Sequence, residues 1–587
     1  MKELKYINKY LLKYKSKLLF GIFITIIARI FSLIAPRLIG ESLNTVEDFI
    51  KNKNSIDIYS LNKTLLFYIS IIIGTALISG FFTFLMRQAI INVSRFIEFD
   101  LKNEIFIQYQ KLSQTFYKIN RTGDLMNRIS EDVGKVRMYF GPAIMYSINI
   151  VTLFIIVIVY MVSIAPKLTL YTLLPLPILS FLIYKLNKAI QVRSKIVQEM
   201  LSTLSSFTQE MFSGISVIKS YNLSEKIQLK FNVTSKKSRE KNMNLVKLQA
   251  WFFPLMLLLI GASNLIVIYV GGTQYMSGEI KIGVLAEFII YVNMLTWPVT
   301  VVGWLTSIVQ QAEVSQKRIN DFLKEETNVK DGKNELKIKL DSIEFKNVGL
   351  RYKDTGIIAL DKISFKLNKK ETLGIIGPVG SGKTSIFELL TRLYDPTSGQ
   401  IFINDKPISS YKLKSLRKII SYIPQNAFLF SESITDNIKF GKPDAKMDEI
   451  IEACKNAEIF NEIEKLNLGF DTILGERGIN LSGGQIQRLS IARGLIKGPQ
   501  IILLDDCLSA VDTDTEESIL NNLNTGFLDK CKLIISHRIS SVKSADKILV
   551  IKDGLLIEEG NHKELIRLNG YYKGIYDKQV GEKKNNL

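Results

Sequence analysis

Six apolar stretches, near residues 18–39, 64–86, 140–161, 165–186, 250–271 and 283–308, dominate the first half of the chain. Each approaches the ~20 residues an α-helix needs to cross hydrocarbon. Peptide groups there find no water to bond, so a crossing segment satisfies them within a helix. One such run would also suit the core helix of a soluble protein; six in succession leave that reading no room. Ahead of them, residues 1–17 mix Lys with Tyr, Leu and Ile. That is the pattern of a basic amphipathic helix at a membrane surface rather than of a cleavable signal peptide. The polar run 324–339 (KEETNVKDGKNELKIK) reads as a linker. Beyond it, short apolar segments such as 343–352 and 372–376 alternate with helical, Gly-punctuated stretches, which predicts a soluble α/β domain. The expected architecture is a six-helix membrane domain over 1–323, a linker over 324–340 and an α/β domain over 341–587.

Charge orients these segments across the membrane. A net charge of +20 suits a nucleic-acid binder, but its placement argues against that partner. Six Lys face one Glu in the first 17 residues, and Lys and Arg enrich the long segments 87–138 and 187–249. The connections near 40–63, 162–165 and 271–282 are short and nearly balanced. Both termini, the long segments and the α/β domain are therefore expected on the cytoplasmic side of a multi-pass protein of the cell membrane, with lipid as partner and no nucleic acid. Each long segment exceeds what a connection needs, so the helices are expected to continue into the cytoplasm, turn and return. Cys454, Cys507 and Cys531 all fall in the soluble half without metal-ligand spacing, which points to a reducing compartment.

Three motifs carry the chemistry. The apolar run 372–376 leads into Gly377, Pro378, Val379, Gly380, Ser381, Gly382, Lys383 and Thr384, a Walker A loop, with Ser385 following. Glycines let backbone N–H groups close around phosphates, and the helix N-terminus that follows adds partial positive charge. Lys383 can reach the β- and γ-phosphates and the Thr384 hydroxyl can ligate Mg²⁺. Downstream, 501–505 (IILLD) ends in Asp505, the Walker B pattern of an apolar strand closing on a magnesium-holding carboxylate. Between them, Leu481 is followed by Ser482, Gly483, Gly484 and Gln485 (LSGGQ), a second backbone cradle for anionic oxygen.

In this order, with Gln425 in YIPQ and His537 in ISHR, the motifs resemble the ATP-binding cassette (ABC) family, and the region in front resembles its exporter-type membrane domain. The resemblance implies a P-loop NTPase domain of the ABC type and an ATPase coupled to transport, using ATP and Mg²⁺. Two cassettes sandwich two ATP molecules head to tail in this family, so a second half transporter is the implied partner. On that pattern Tyr352 stacks on adenine, residues 377–385 wrap the phosphates, Gln425 touches the magnesium and His537 contacts the γ-phosphate. Ser482, Gly483, Gly484 and Gln485 act on the partner's nucleotide, and 509–512 (SAVD) links the two sites. Residues 116–126 and 210–221 resemble the exporter coupling turns, and 475–478 (GERG) the loop that receives them.

One position departs from the family. The hydrolytic carboxylate after Walker B is normally Glu and here is Asp506. Asp is shorter by one carbon–carbon bond, about 1.5 Å, and loss of a positioned general base costs roughly 10²–10⁴ in rate. ATP is therefore expected to bind at this chain's Walker loops and to be hydrolysed slowly there, as in one half of an asymmetric heterodimer; a slow homodimer is the other arrangement. Inside the apolar runs, Arg29 and Glu287 are candidates for the transport path, and Pro298 beside Trp297 for a kink in the sixth helix. The expected function is export of a small amphipathic substrate (drug, lipid or peptide) from a bacterial cell. A nucleotide-binding gating subunit and a soluble-type cassette ATPase acting on nucleic acid are the alternatives.

Overall fold

The apolar runs fold as long helices that overshoot the hydrocarbon: α1 (Lys15–Lys51), α2 (Ile58–Lys111), α4 (Thr122–Ile164), α8 (Ser224–Met276) and α9 (Ile282–Leu323), each long and apolar enough to cross a membrane. A six-residue helix, α3 (Gln114–Ile119), lies in the chain between α2 and α4. The computed structural model describes residues 3–51, 58–336, 340–475, 478 and 480–585. The expected crossing at 165–186 is divided into α5 (Pro166–Leu173) and α6 (Pro175–Ser213). Pro175 cannot donate a backbone hydrogen bond and its ring crowds the preceding turn, so the helix breaks at Leu174. The tight helix Ile215–Ser220, α7, then precedes α8. α4 carries two π-turns, at Arg128–Asp132 and Tyr139–Ala143, the second containing Pro142. The expected loop at 40–63 is mostly helix: α1 runs on to Lys51, and 52–57 lie outside the described residues.

The chain divides into two units, residues 1–110 with 123–324, and residues 111–122 with 325–587. In the first unit, only 6% of the most apolar window of α2 is buried against protein, compared with 50% for α9. Thus α2 leaves Leu66, Phe67 and Leu77 exposed, while α9 buries Phe288, Tyr291 and Leu295 with Leu33, Val157 and Met161. Small residues let α1 and α9 meet closely. A Cβ at Gly283 would come 2.0 Å from the Gly40 carbonyl oxygen, and Asn44 Oδ1 accepts the Gly283 N–H at 2.8 Å.

In the second unit, β1 (Ser342–Arg351) and β2 (Ile358–Asn368) belong to an antiparallel sheet of order β2-β1-β4-β5, with β4 (Ser398–Ile403) and β5 (Lys406–Pro407). A second sheet holds β3 (Thr372–Ile376), β6 (Ile420–Ile423), β7 (Ile501–Asp505), β8 (Cys531–Ile535), β9 (Lys547–Lys552) and β10 (Leu555–Gly560), in the order β10-β9-β3-β8-β7-β6. Strands β3, β7 and β8 are buried at every residue. Both faces of a parallel sheet are covered, which is why these strands read as unbroken apolar runs. Part of the expected linker is tied to this unit: Asn334 bridges to Tyr411, Arg392 donates to the Lys330 carbonyl at 2.9 Å, and 337–339 lie outside the described residues.

Candidate nucleotide site

Sheet order assembles the site. Strands β3, β8, β7 and β6 are parallel neighbours in register, so the loops leaving their C-terminal ends form one row. That edge is where open α/β sheets hold ligands. After β3 comes the Walker A loop, after β8 His537, at the end of β7 Asp505 and Asp506, and after β6 Gln425.

The loop's geometry demands its glycines. Gly382 has φ +94° and a Cβ there would lie 2.0 Å from the Ala359 carbonyl oxygen, while Gly380 has φ +81° and opens on free space. Such positive φ favours residues without Cβ. Lys383, at the start of α10 (Lys383–Leu390), is buried and donates to the carbonyls of Gly377 at 2.9 Å and Pro378 at 2.7 Å. Burial lowers its ammonium pKa, against the pull of Asp506 and Asp505. Thr384 donates to Asp505 Oδ1 at 3.1 Å, and Tyr422 donates to Asp505 Oδ2 at 3.1 Å. Burial raises the Asp505 carboxyl, while these two hydroxyls oppose it. Gln425 Nε2 donates to Asp506 Oδ2 at 3.0 Å. Hydroxyl, carboxylate and amide oxygens are the donor set a hard cation takes, so Thr384, Asp505 and Gln425 fit magnesium. Among the described residues no group of three or more His, Cys, Asp or Glu could hold a metal alone; phosphate and water would complete the shell.

Tyr352 is placed beside this loop by the end of β1. Its hydroxyl lies 2.8 Å from Ser385 Oγ and donates to Glu388 Oε2 at 2.6 Å. Burial, then Glu388, raises the Tyr352 phenol pKa. His537 is half-buried, and burial followed by Lys383 lowers its imidazole below the ordinary 6.5. Of the two histidines, the other, His562, bonds Tyr572 at 2.7 Å, away from this row.

The LSGGQ segment starts α11 (Gly483–Leu495) as a capping box. Gln485 Oε1 accepts the Ser482 N–H at 2.8 Å, and Ser482 Oγ accepts the Gln485 N–H at 3.3 Å. Ser482 and Gly483 are exposed, so the amide end of the helix is presented outward. Arg538 fixes the 509–512 loop, donating to the carbonyls of Ser509 at 3.1 Å and Val511 at 3.3 Å and to Glu516 at 2.7 Å. Arg538 and Tyr422 lie within the ISHR and YIPQ strings, where their contacts have no signal in the motif itself, and Glu388 lies outside every motif. In GERG, Glu476 and Arg477 lie outside the described residues.

In the membrane unit, Arg29 donates to Asn149 Oδ1. Glu287 is 5% exposed, packed against Gly40, and its Oε2 finds no hydrogen-bond partner among the described residues. It is buried where α9 packs against α1. A cavity of about 550 Å³ opens instead between α6 and α9, lined by Phe181, Tyr184, Asn187, Lys188, Val299 and Gln310 among others.

Residues 18–299 match the ABC transporter transmembrane region, and residues 360–509 match the ABC transporter family. The multidrug resistance-like ATP-binding protein MdlA of Buchnera aphidicola subsp. Schizaphis graminum is 34% identical over 97% of both chains. The chain belongs to the ABC transporter family. YknU, an uncharacterized ABC transporter ATP-binding protein of Bacillus subtilis, is 38% identical over 82% of this chain and 83% of its own. MdlA of Escherichia coli is 32% identical over 87% of each. A solved bacterial Atm1-family ABC exporter with ATP bound has the same fold, with a TM-score of 0.80 at 23% identity over 96% of this chain and 99% of that one. This ABC transporter is a membrane ATPase whose nucleotide hydrolysis is coupled to transport, with its cassette in the cytoplasm.

Proposed function

We propose that this half transporter exports a small amphipathic substrate by alternating access, paired with a second half transporter that carries Glu where this chain has Asp506. Each nucleotide sits between the Walker loops of one cassette and the signature segment of the other. The observation that carries the pairing is the exposed, capped amide end of α11, an anion cradle aimed out of its own chain. In the site, Tyr352 stacks on adenine, residues 377–385 wrap the phosphates and Lys383 reaches the β- and γ-phosphates. Thr384, Asp505 and Gln425 would hold Mg²⁺, which would supply positive charge to offset that of the phosphates. Asp506 orients water, and neutral His537 contacts the γ-phosphate. Asp506 is drawn back by its length and engaged by Gln425, so hydrolysis here is slow and the partner's nucleotide turns over against Ser482, Gly483, Gly484 and Gln485.

Amphipathic cargo is supported by the α6–α9 cavity, whose size falls in the ligand-pocket range and whose wall joins Phe181, Tyr184 and Val299 to Lys188, Asn187 and Gln310. Coupling runs through residues 116–126 and 210–221. The second turn exposes Phe212, Val217 and Tyr221, apolar side chains suited to a protein partner. Turnover of the purified chain in lipid, alone and as Asp506→Glu, tests the pairing. The proposal expects slow hydrolysis that the substitution raises by 10-fold or more; brisk turnover unimproved by Asp506→Glu would overturn it.

A further inference from the structure

The segment 111–122 belongs with the cassette unit, and its helix α3 brings one lysine onto the base-stacking tyrosine. Lys118 Nζ lies 4.8 Å from the Tyr352 ring centroid, 4.9 Å from that of Tyr394 and 3.6 Å from Glu388 Oε1. The two rings meet edge to face at 5.3 Å. Glu388 is shared: Oε1 faces Lys118, and Oε2 accepts the Tyr352 hydroxyl at 2.6 Å. The same hydroxyl engages Ser385 Oγ at 2.8 Å. Two groups that the nucleotide site offers, the Tyr352 ring and the Ser385 hydroxyl, are therefore bound to each other, with an ammonium seated over the ring.

We propose that Lys118 is a positioning residue that holds Tyr352 folded onto Ser385 and Glu388, and so weakens ATP binding in proportion to how firmly the 111–122 segment is seated. The inference rests on the assignment of Tyr352 to adenine and of Ser385 to phosphate. A base stacked on the face that Lys118 covers must displace the ammonium, and a phosphate bonded to Ser385 must displace the phenol. Burial works against the Lys118 charge, but Tyr394 and Glu388 more than offset it, so its ammonium pKa is raised and the charge persists at neutral pH. The Lys118 side chain is 39% exposed; cation–π pairs of that kind correspond to about 2- to 5-fold in an equilibrium. Through α2 and α4, between which the segment is strung, nucleotide occupancy and membrane-helix position then bias each other, as linkage requires.

Equilibrium binding of a fluorescent ATP analogue to the full-length transporter in lipid nanodiscs, with its partner half where it has one, tests this without turnover. Lys118→Gln is expected to lower Kd about 2- to 5-fold, and Lys118→Arg, which keeps a cation over the rings, to leave it unchanged. Glu388→Gln, which loosens both Lys118 and Tyr352, is expected to lower Kd as well. A Kd that is unchanged or raised in both Lys118→Gln and Glu388→Gln would overturn the proposal. Tyr352→Ala separates the two levels. Weaker binding upholds the stacking assignment whatever the lysine does, whereas unchanged binding removes that assignment and this inference with it.

Discussion

His537 sits between a desolvating wall and a cation, and both favour the neutral imidazole. Since its folded-state pKa lies below the ordinary 6.5, the unfolded chain binds the proton more readily. Stability is therefore complete above that value and falls as pH drops below it. The same sign applies to function: hydrolysis should hold level from neutral pH down to about 6.5 and decline only on the acid side, as a pH–rate profile of the full transporter will show. At the neighbouring strand end, Asp506 has φ +46° and is buried. Asp tolerates that left-handed backbone better than most residues, Glu among them, so Asp506→Glu carries a backbone cost that the longer side chain's reach must outweigh for turnover to rise. Replacing Thr384 by Ala removes the hydroxyl aimed at Asp505; magnesium titration of nucleotide affinity should then lose most of its amplitude while metal-free binding persists. The motif residues were legible because phosphate chemistry confines them to short contiguous strings. Lys118 lies within the 116–126 turn, but its meeting with Glu388 and Tyr394 was not legible, because the two segments are far apart in the chain and nothing local marks a lysine that will lie on a tyrosine.

At the scale of elements, strand identity followed from apolar runs, since parallel strands buried on both faces leave no alternation to misread. Strand order did not follow from sequence, yet the β3-β8-β7-β6 order is what aligns the four loops. The run of α2 past its apolar core follows the expectation set by the long 87–138 segment, whereas α1 and α9 continue beyond the apolar stretches because hydropathy ends at the membrane while the helices do not. Two glycines give tests at this scale. Gly382→Ala drives a Cβ into the Ala359 carbonyl at a φ that side chains avoid, a strain of about 1–3 kcal/mol, and should abolish nucleotide binding in a calorimetric titration. In α9, a Cβ at Gly303 would meet the Asn187 amide at 2.0 Å. That amide is the end of a movable side chain, so Gly303→Ala should fold normally and push Asn187 within the α6–α9 cavity. The expected readout is altered substrate stimulation of ATPase activity with unchanged basal nucleotide affinity.

For the whole molecule, a six-stretch membrane half and a cassette half were both apparent from the sequence, because lipid and phosphate impose opposite and unmistakable patterns. What lay beyond it was the division of the units: residues 111–122, strung between two membrane helices, belong with the cassette. The central proposal is that nucleotide held at Lys383 drives substrate movement across the bilayer. Proteoliposomes carrying the purified transporter and its partner half, loaded with ATP and Mg²⁺ on the cassette side, measure this directly. Substrate should accumulate against its own gradient, and Lys383→Ala in both halves should abolish the accumulation. Movement that only dissipates a pre-set gradient, or that persists in the Lys383→Ala protein, would contradict the claim.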